Sequence, residues 1–251
     1  MRIQKVRGIV LSSVVYGEGD VIATLLTEDS GKRSFSFKGL KRSRRRPHAA
    51  ADPGSLVQLS CYYKEGRDIL SAGDISLEQE FAGVRNSLGR IYAAHIMLET
   101  VEKSLGRDSP ERPLFKLLEA ALKALNDTAA PCGLTVFFLV HLLRAHGIFP
   151  SMTDCALCRT GNFGDFILRR ADLHPVCLPC AAGNGILLKA AVRQYLELCI
   201  SKKYYEIDCM LFNENDTCDL LVSILNFIEG HYGVTIQSGK RLSVDNSNIF
   251  R

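Results

Sequence analysis

Ile3–Lys38 reads IQKVRGIVLSSVVYGEGDVIATLLTEDSGKRSFSFK, and this stretch decides the fold of the N-terminal part of the chain. Residues 3–16 are rich in Val, Ile and Leu, the turn Tyr16-Gly17-Glu18-Gly19-Asp20 interrupts them, and DVIATLLT follows at 20–27. Residues 32–38, KRSFSFK, set Phe35 and Phe37 two apart on one face of an extended chain, with Ser34 and Ser36 on the other. Three strands joined by tight turns are therefore predicted early in the chain.

Beyond the Pro47–Pro53 loop, Val57, Leu59, Cys61 and Tyr63 alternate with Leu56, Gln58, Ser60 and Tyr62. Lys64-Glu65-Gly66-Arg67 then reads as a turn before a strand at 68–75. Five short strands in about eighty residues, broken after the third, is the strand count of a small closed barrel, either an OB-fold or an SH3-like barrel.

From Leu77 onward the period becomes helical, and Leu88, Ile91, Tyr92, His95, Ile96, Leu98 and Val101 form a wide apolar stripe. Pro113–Leu125 predicts a second helix, with Pro110 and Pro113 near its start, and residues 132–147 a third. Leu134–Leu143, LTVFFLVHLL, is apolar on nearly all sides, so this helix belongs at the centre of a bundle, stopped by Gly147 and Pro150. At ten residues it is too short to span a membrane, which takes roughly 18. Helices resume at 189–203 and 217–231, the last one short and followed by a polar tail, Ser243–Arg251. His95 and His141 fall on apolar helical faces and read as satisfied core residues. The fold class predicted is α+β multidomain, with a barrel over 1–80 and a helical domain over 81–251, interrupted at about 151–185 by a loop-rich insertion.

That insertion carries the most specific signal in the chain. Cys155-Ala156-Leu157-Cys158 and Cys177-Leu178-Pro179-Cys180 form C-x2-C-x18-C-x2-C, the spacing of two knuckles that close on one tetrahedral zinc. Four thiolates leave no position for water or substrate, so a structural site holding one zinc per chain is expected. A redox C-x-x-C is the weaker reading because neither pair is predicted to open a helix after a strand. His174, three residues before Cys177, reads as a solvated loop residue. The remaining cysteines (61, 132, 199, 209 and 218) read as small core hydrophobes, and nine cysteines so distributed fit a reducing compartment.

Composition, 47% hydrophobic and 23% charged in 251 residues, excludes a disordered or collagen-like chain. The net charge of +4 is too small to imply nucleic acid, but its distribution is uneven. Lys32, Arg33, Lys38, Lys41, Arg42, Arg44, Arg45 and Arg46 occur with no acid between them, a density that suits a phosphate backbone read without sequence preference. Phe35 and Phe37 read as barrel core rather than stacking surfaces, because alternation with serine is what a half-buried strand needs. Six dispersed histidines, and the absence of a Walker loop, a G-x-S-x-G elbow or paired carboxylates in a Gly-rich setting, make an enzyme unexpected, and no small-molecule substrate is expected. Gly8, Ser12 and Ser13 interrupt the N-terminal apolar patch, no cleavage site follows, and the cytoplasm is the expected location.

Gly8-Ile9-Val10-Leu11, Tyr16-Gly17-Glu18-Gly19-Asp20, Leu26-Thr27 with Gly31-Lys32, Lys38-Gly39-Leu40-Lys41-Arg42-Ser43-Arg44, the four cysteines and the closing Gly230-His231-Tyr232-Gly233 through Lys240-Arg241-Leu242 together resemble the bacterial RecO family of DNA repair and recombination mediators. The resemblance covers nearly the whole chain. It implies an N-terminal OB-fold, a helical domain and an embedded four-cysteine zinc ribbon. It also implies a non-enzymatic protein that binds single- and double-stranded DNA and anneals strands. With RecR, such a protein helps RecA onto DNA coated by single-strand-binding protein, whose C-terminal tail it contacts. Association with the nucleoid when DNA is bound follows. Lys38, Lys41, Arg42 and Arg44 match the family's basic stretch. The alternative is a zinc-ribbon adaptor that binds proteins and little DNA.

Overall fold

The computed structural model describes residues 2–63, 66–106, 110–161, 163–183, 185–207 and 214–240. Lys64 and Glu65 of the expected turn, Cys209, and the closing segment from Arg241 through the polar tail lie outside the described residues. Two compact units form: Met1–Ser87 with Ala94–Asp127, and Leu88–Ala93 with Thr128–Arg251.

The first unit contains a closed five-stranded barrel: β1 (Arg2–Tyr16), β2 (Asp20–Thr27), β3 (Gly31–Phe37), β4 (Leu56–Tyr63) and β5 (Ile69–Gln79). Its order is β1-β2-β3-β5-β4, and β4 returns to β1 to close the ring. Neighbours are antiparallel except β3 and β5, which run parallel through Ser34–Ile69 to Ser36–Ser71. That order, with one parallel pair, selects the OB-fold from the two barrels the strand count allowed. The fifteen-residue β1 makes closure possible: its first half pairs with β4 and its second with β2, and a bulge between Val10 and Ser12 bends it between the two. Alternation puts Val21, Ala23 and Leu25, Phe35 and Phe37, and Val57, Leu59 and Cys61 in one core cluster. Each large side chain so buried contributes about 1.5–3 kcal/mol.

Two helices follow, α1 (Leu88–Ser104) and α2 (Arg112–Leu125). In α1 the buried face is Ala93, Ile96, Met97, Thr100 and Val101, and His95 is exposed, as is Leu88. The reading of His95 as core is therefore corrected: Ile96, Leu98 and Val101 of the expected stripe are buried, whereas Leu88 and His95 are exposed and Ile91 and Tyr92 half-buried at its margin. An ion network joins the barrel to α2. Arg7 on β1 donates to Glu78 of β5 at 2.8 and 2.9 Å and to Glu119 of α2 at 2.8 and 3.2 Å, while Glu28 lies 3.5 Å away. The hydrogen bonds from Arg7 hold the Glu78 carboxyl below its usual range.

In the second unit α3 (Pro131–Ala145) is buried along almost its whole length and packs against α4 (Ala190–Ser201) and α5 (Glu214–Tyr232). Gly147 stops α3 in the left-handed conformation, where its N–H reaches the Arg144 carbonyl at 2.9 Å and that of Ile148 reaches Leu143 at 3.0 Å. His141 is only half-buried, and although the ring bonds the Cys199 backbone, its Nε2 lacks a hydrogen-bond partner, so it is only partly the satisfied core residue expected; burial pushes its pKa down. The helix expected at 217–231 is neither short nor last: α5 runs 19 residues, and a four-residue α6 (Gln237–Lys240) follows.

Residues 151–185, aperiodic in sequence, hold most of a three-stranded antiparallel sheet: β6 (Phe166–Leu168), β7 (Pro175–Cys177) and β8 (Ile186–Leu188), in the order β7-β6-β8. Strands of three residues are too short to show a period, which is why the sequence reads there as loop. Asp165 fastens this ribbon to α4: its carboxylate accepts the Ala190 N–H at 3.1 Å and lies 3.2 Å from Lys189 Nζ.

Candidate nucleic-acid interface and metal centre

The cationic segment crosses from β3 to β4 by two single-turn 3-10 helices, Leu40–Arg42 and His48–Ala51. Leu40 at one end and Ala50 and Ala51 at the other are buried in the barrel core, so the intervening residues are anchored on both sides. Ser43 Oγ accepts the N–H groups of Arg45 and Arg46 at 3.3 and 3.0 Å, His48 Nε2 lies 2.8 Å from the Ser43 carbonyl, and the Arg46 guanidinium donates to the Lys38 carbonyl. Lys38, Lys41, Arg42, Arg44 and Arg45 are exposed and Arg46 is half-buried. A loop anchored this way presents charge without ordering a long flexible segment on binding.

Lys32 and Arg33 do not join that group. They lie on β3 opposite Leu26 and Leu25, at the other end of the strand from Phe37, about 15–20 Å away at the rise of an extended chain. The Lys32 ammonium donates to the Glu102 carbonyl, and both cations line a cavity of about 150 Å³ with Thr24, Ser34, Arg67, Asp68 and Glu102. Nor is the loop without acid: Glu18, from the β1–β2 turn, forms an ion pair with Arg42. Sequence distance concealed that partner.

The β1–β2 turn and the loop are stitched together. Gly39 N–H donates to Asp20 Oδ1 at 2.7 Å and Lys41 N–H to the Gly19 carbonyl at 3.0 Å. A Cβ on Gly19 would approach the Arg42 side chain to 3.0 Å, so glycine lets the arginine lie across the turn. Phe35 and Phe37 are 1% and 0% exposed and offer no stacking surface. The exposed aromatic group beside the loop is Tyr16, 67% exposed, preceded by Val14 and Val15 at 65% and 63%. These residues were missed from sequence, although three consecutive apolar residues at a strand end, where alternation should hold, were the available signal.

The four cysteines converge. Their sulfur atoms all lie within 4.8 Å of one another, with Cys158 and Cys177 at 3.7 Å, where a tetrahedral thiolate site asks for about 3.8 Å. Cys177 ends β7 and faces Phe166 across the sheet, and Cys180 closes the one-turn 3-10 helix that follows. This pair does therefore leave a strand for a helical turn, but the turn is a single one. The first knuckle is shaped by backbone bonds: Cys155 N–H to Thr160 at 3.0 Å, Ala156 N–H to Pro175 at 2.9 Å, and Arg159, in the left-handed conformation, to Cys155 at 3.0 Å. Cys155 and Cys177 are buried, Cys180 half-buried and Cys158 exposed. Burial raises the Cys155 thiol, but N–H groups of Cys158, Cys177 and Leu157 directed at it bring it down to about 6. Cys180, hydrogen-bonded to Cys177 and Cys158, is pushed up to about 12. Four thiols so placed ionise together only around a cation, so the donor set fits a thiophilic metal ion. His174 is not among these ligands; its Nδ1 lies 3.3 Å from Asp172. Among the described residues no helix is long and apolar enough to cross a membrane.

Comparison with known proteins agrees with this architecture along the chain. Residues 1–79 match the family model "Recombination protein O N terminal" and residues 85–240 match "Recombination protein O C terminal". A DNA repair protein RecO from Anaeromyxobacter sp. (strain K) is 37% identical over 192 residues, covering 72% of this chain and 75% of that protein. One from Rubrobacter xylanophilus is 35% identical over 197 residues, covering 73% and 78%, and one from Desulfatibacillum aliphaticivorans is 28% identical over 201 residues, covering 76% and 77%. With both family models matched in order on either side of the junction between the last barrel strand and the first helix, the chain belongs to the RecO family.

Proposed function

We propose that this protein is a non-enzymatic, DNA-binding recombination mediator in DNA repair. The observation that carries the proposal is the anchored cationic loop on the OB-fold barrel: five exposed cations, only one of them in a described ion pair with an acid, held by buried residues at both ends. In this reading residues 1–80 are the DNA-binding module and 81–251 the helical module, with the ribbon at about 151–185 inserted in it. Lys38, Lys41, Arg42, Arg44, Arg45 and Arg46 contact phosphates, and Lys32 with Arg33 makes a second phosphate contact farther along the barrel. Such contacts do not read sequence, so single strands and duplexes are both ligands, as annealing requires. Family membership supports RecR, the tail of single-strand-binding protein and the loading of RecA as the setting in which it works, in the bacterial cytoplasm and at the nucleoid.

Cys155, Cys158, Cys177 and Cys180 hold one structural zinc, which supplies cross-linking and no chemistry because no ligand position stays open. A second reading, a zinc-ribbon adaptor, draws support from Leu157 and Leu178, exposed in the two knuckles.

Fluorescence anisotropy across a salt series separates the two. Replacing Lys41, Arg42, Arg44, Arg45 and Arg46 together by Gln is expected to make the log–log salt dependence for single strands shallower by up to about 3–4. Unchanged affinity and slope in a folded variant would remove the loop from the DNA site and favour the adaptor.

A further inference from the structure

We infer that Tyr16, at the tip of the β1–β2 hairpin, is a base-stacking platform that makes the cationic loop prefer unpaired strands. The inference rests on the DNA-binding reading above and adds a specificity-determining residue to it.

Within the closed barrel, one face of each strand is buried, yet Val14, Val15 and Tyr16 are all exposed, so the end of β1 projects past the core. Val14 and Tyr16 share one face, two residues apart. Tyr16 pairs with Asp20, and the Asp20 carboxylate accepts the Gly39 N–H at 2.7 Å, where the cationic loop begins. Lys41 N–H to the Gly19 carbonyl, and Arg42 across Gly19 to Glu18, fix the loop to the same turn. The hairpin end that carries the exposed phenol ring and the loop that carries the cations are thus joined by backbone and carboxylate bonds.

Charge complementarity selects the occupant. An apolar tip tied to the loop that carries Lys41, Arg42, Arg44 and Arg45 suits a polyanion with apolar faces, which describes a single strand: phosphates reach the cations while an unstacked base lies on the ring. A duplex offers the same phosphates but keeps its base faces covered. The loop therefore serves both nucleic acids, and Tyr16 favours one.

The chain contains no tryptophan, so Tyr16→Trp introduces the sole indole. On titration of that variant with an oligo(dT), the indole emission is expected to be quenched strongly, and with a duplex of equal length only weakly. Tyr205→Trp, which alters an exposed tyrosine of the other unit, reports quenching unrelated to stacking at the hairpin. Tyr16→Ala should lower single-strand affinity roughly 5- to 100-fold and duplex affinity by less than about twofold, and Tyr16→Phe should restore it. Its salt slope should stay that of the wild type, unlike the loop variant. Bound oligo(dT) without quenching in the Tyr16→Trp protein, or a Tyr16→Ala protein with unchanged preference, overturns the inference while leaving the cationic loop in place. Failure of the wild-type protein to bind either nucleic acid at low salt overturns both readings together.

Discussion

The barrel and the cysteine ribbon are both small β structures, but they are held together by different means. The barrel has strands of 7 to 15 residues that close on themselves around a cluster of fourteen buried residues. The ribbon has three strands of three residues each, with Phe166, Leu168, Val176 and Leu188 buried beside the four thiols. Long strands supply enough paired backbone and inward side chains to offset their own ordering entropy. Strands of three residues do not, and the shortfall has to be met by a cross-link. Mechanical independence follows: what breaks one module should leave the other intact.

Metal removal should show the largest effect. With the four thiols holding zinc as proposed, stripping the metal with a chelator, or replacing Cys177 and Cys180 by Ser, should remove a contribution that in structural zinc sites is on the order of 10 kcal/mol. Hydrogen exchange should then lose protection at 166–168, 175–177 and 186–188 and keep it across the barrel strands. Equal loss in the barrel would end the comparison. Next comes the reciprocal change. Phe37→Ala opens a cavity in the barrel core and should cost about 3–5 kcal/mol of unfolding stability there, with metal stoichiometry by mass spectrometry unchanged.

The smallest effect is a pH dependence confined to the first unit. The Arg7 hydrogen bonds lower the Glu78 pKa from its ordinary 4.5. The associated stabilisation is full above about 4.5 and is lost as pH falls through the lowered value. Because both side chains are partly exposed, it amounts to about 0.2–1 kcal/mol. Glu78→Gln should flatten the acid limb of the barrel's stability curve by that amount and leave the ribbon's acid-induced metal release as it was. A change in metal release would mean that the modules are coupled.

Sequence alone determined the elements whose physics is local. Glycine turns and two-residue alternation gave β1 to β3, LTVFFLVHLL gave the central helix, and C-x2-C-x18-C-x2-C gave the four cysteines that converge, because strand pleat, helix periodicity and knuckle spacing are written in near neighbours. The ribbon strands were not legible, since three residues carry no period, and neither was the exposure of His95, which neighbours the buried residues of α1 without joining them. Tertiary structure decided the rest. Closure of β1 on β4, far along the chain, selected the OB order, and the pairing of β3 with β2 set Lys32 and Arg33 at the opposite end of β3 from the loop cations. It also brought Glu18 to Arg42 and left Tyr16, rather than Phe35 or Phe37, as the exposed aromatic beside the charge. Those placements depend on which distant backbones pair, and hydrogen bonds between distant strands leave no mark on the order of neighbouring residues.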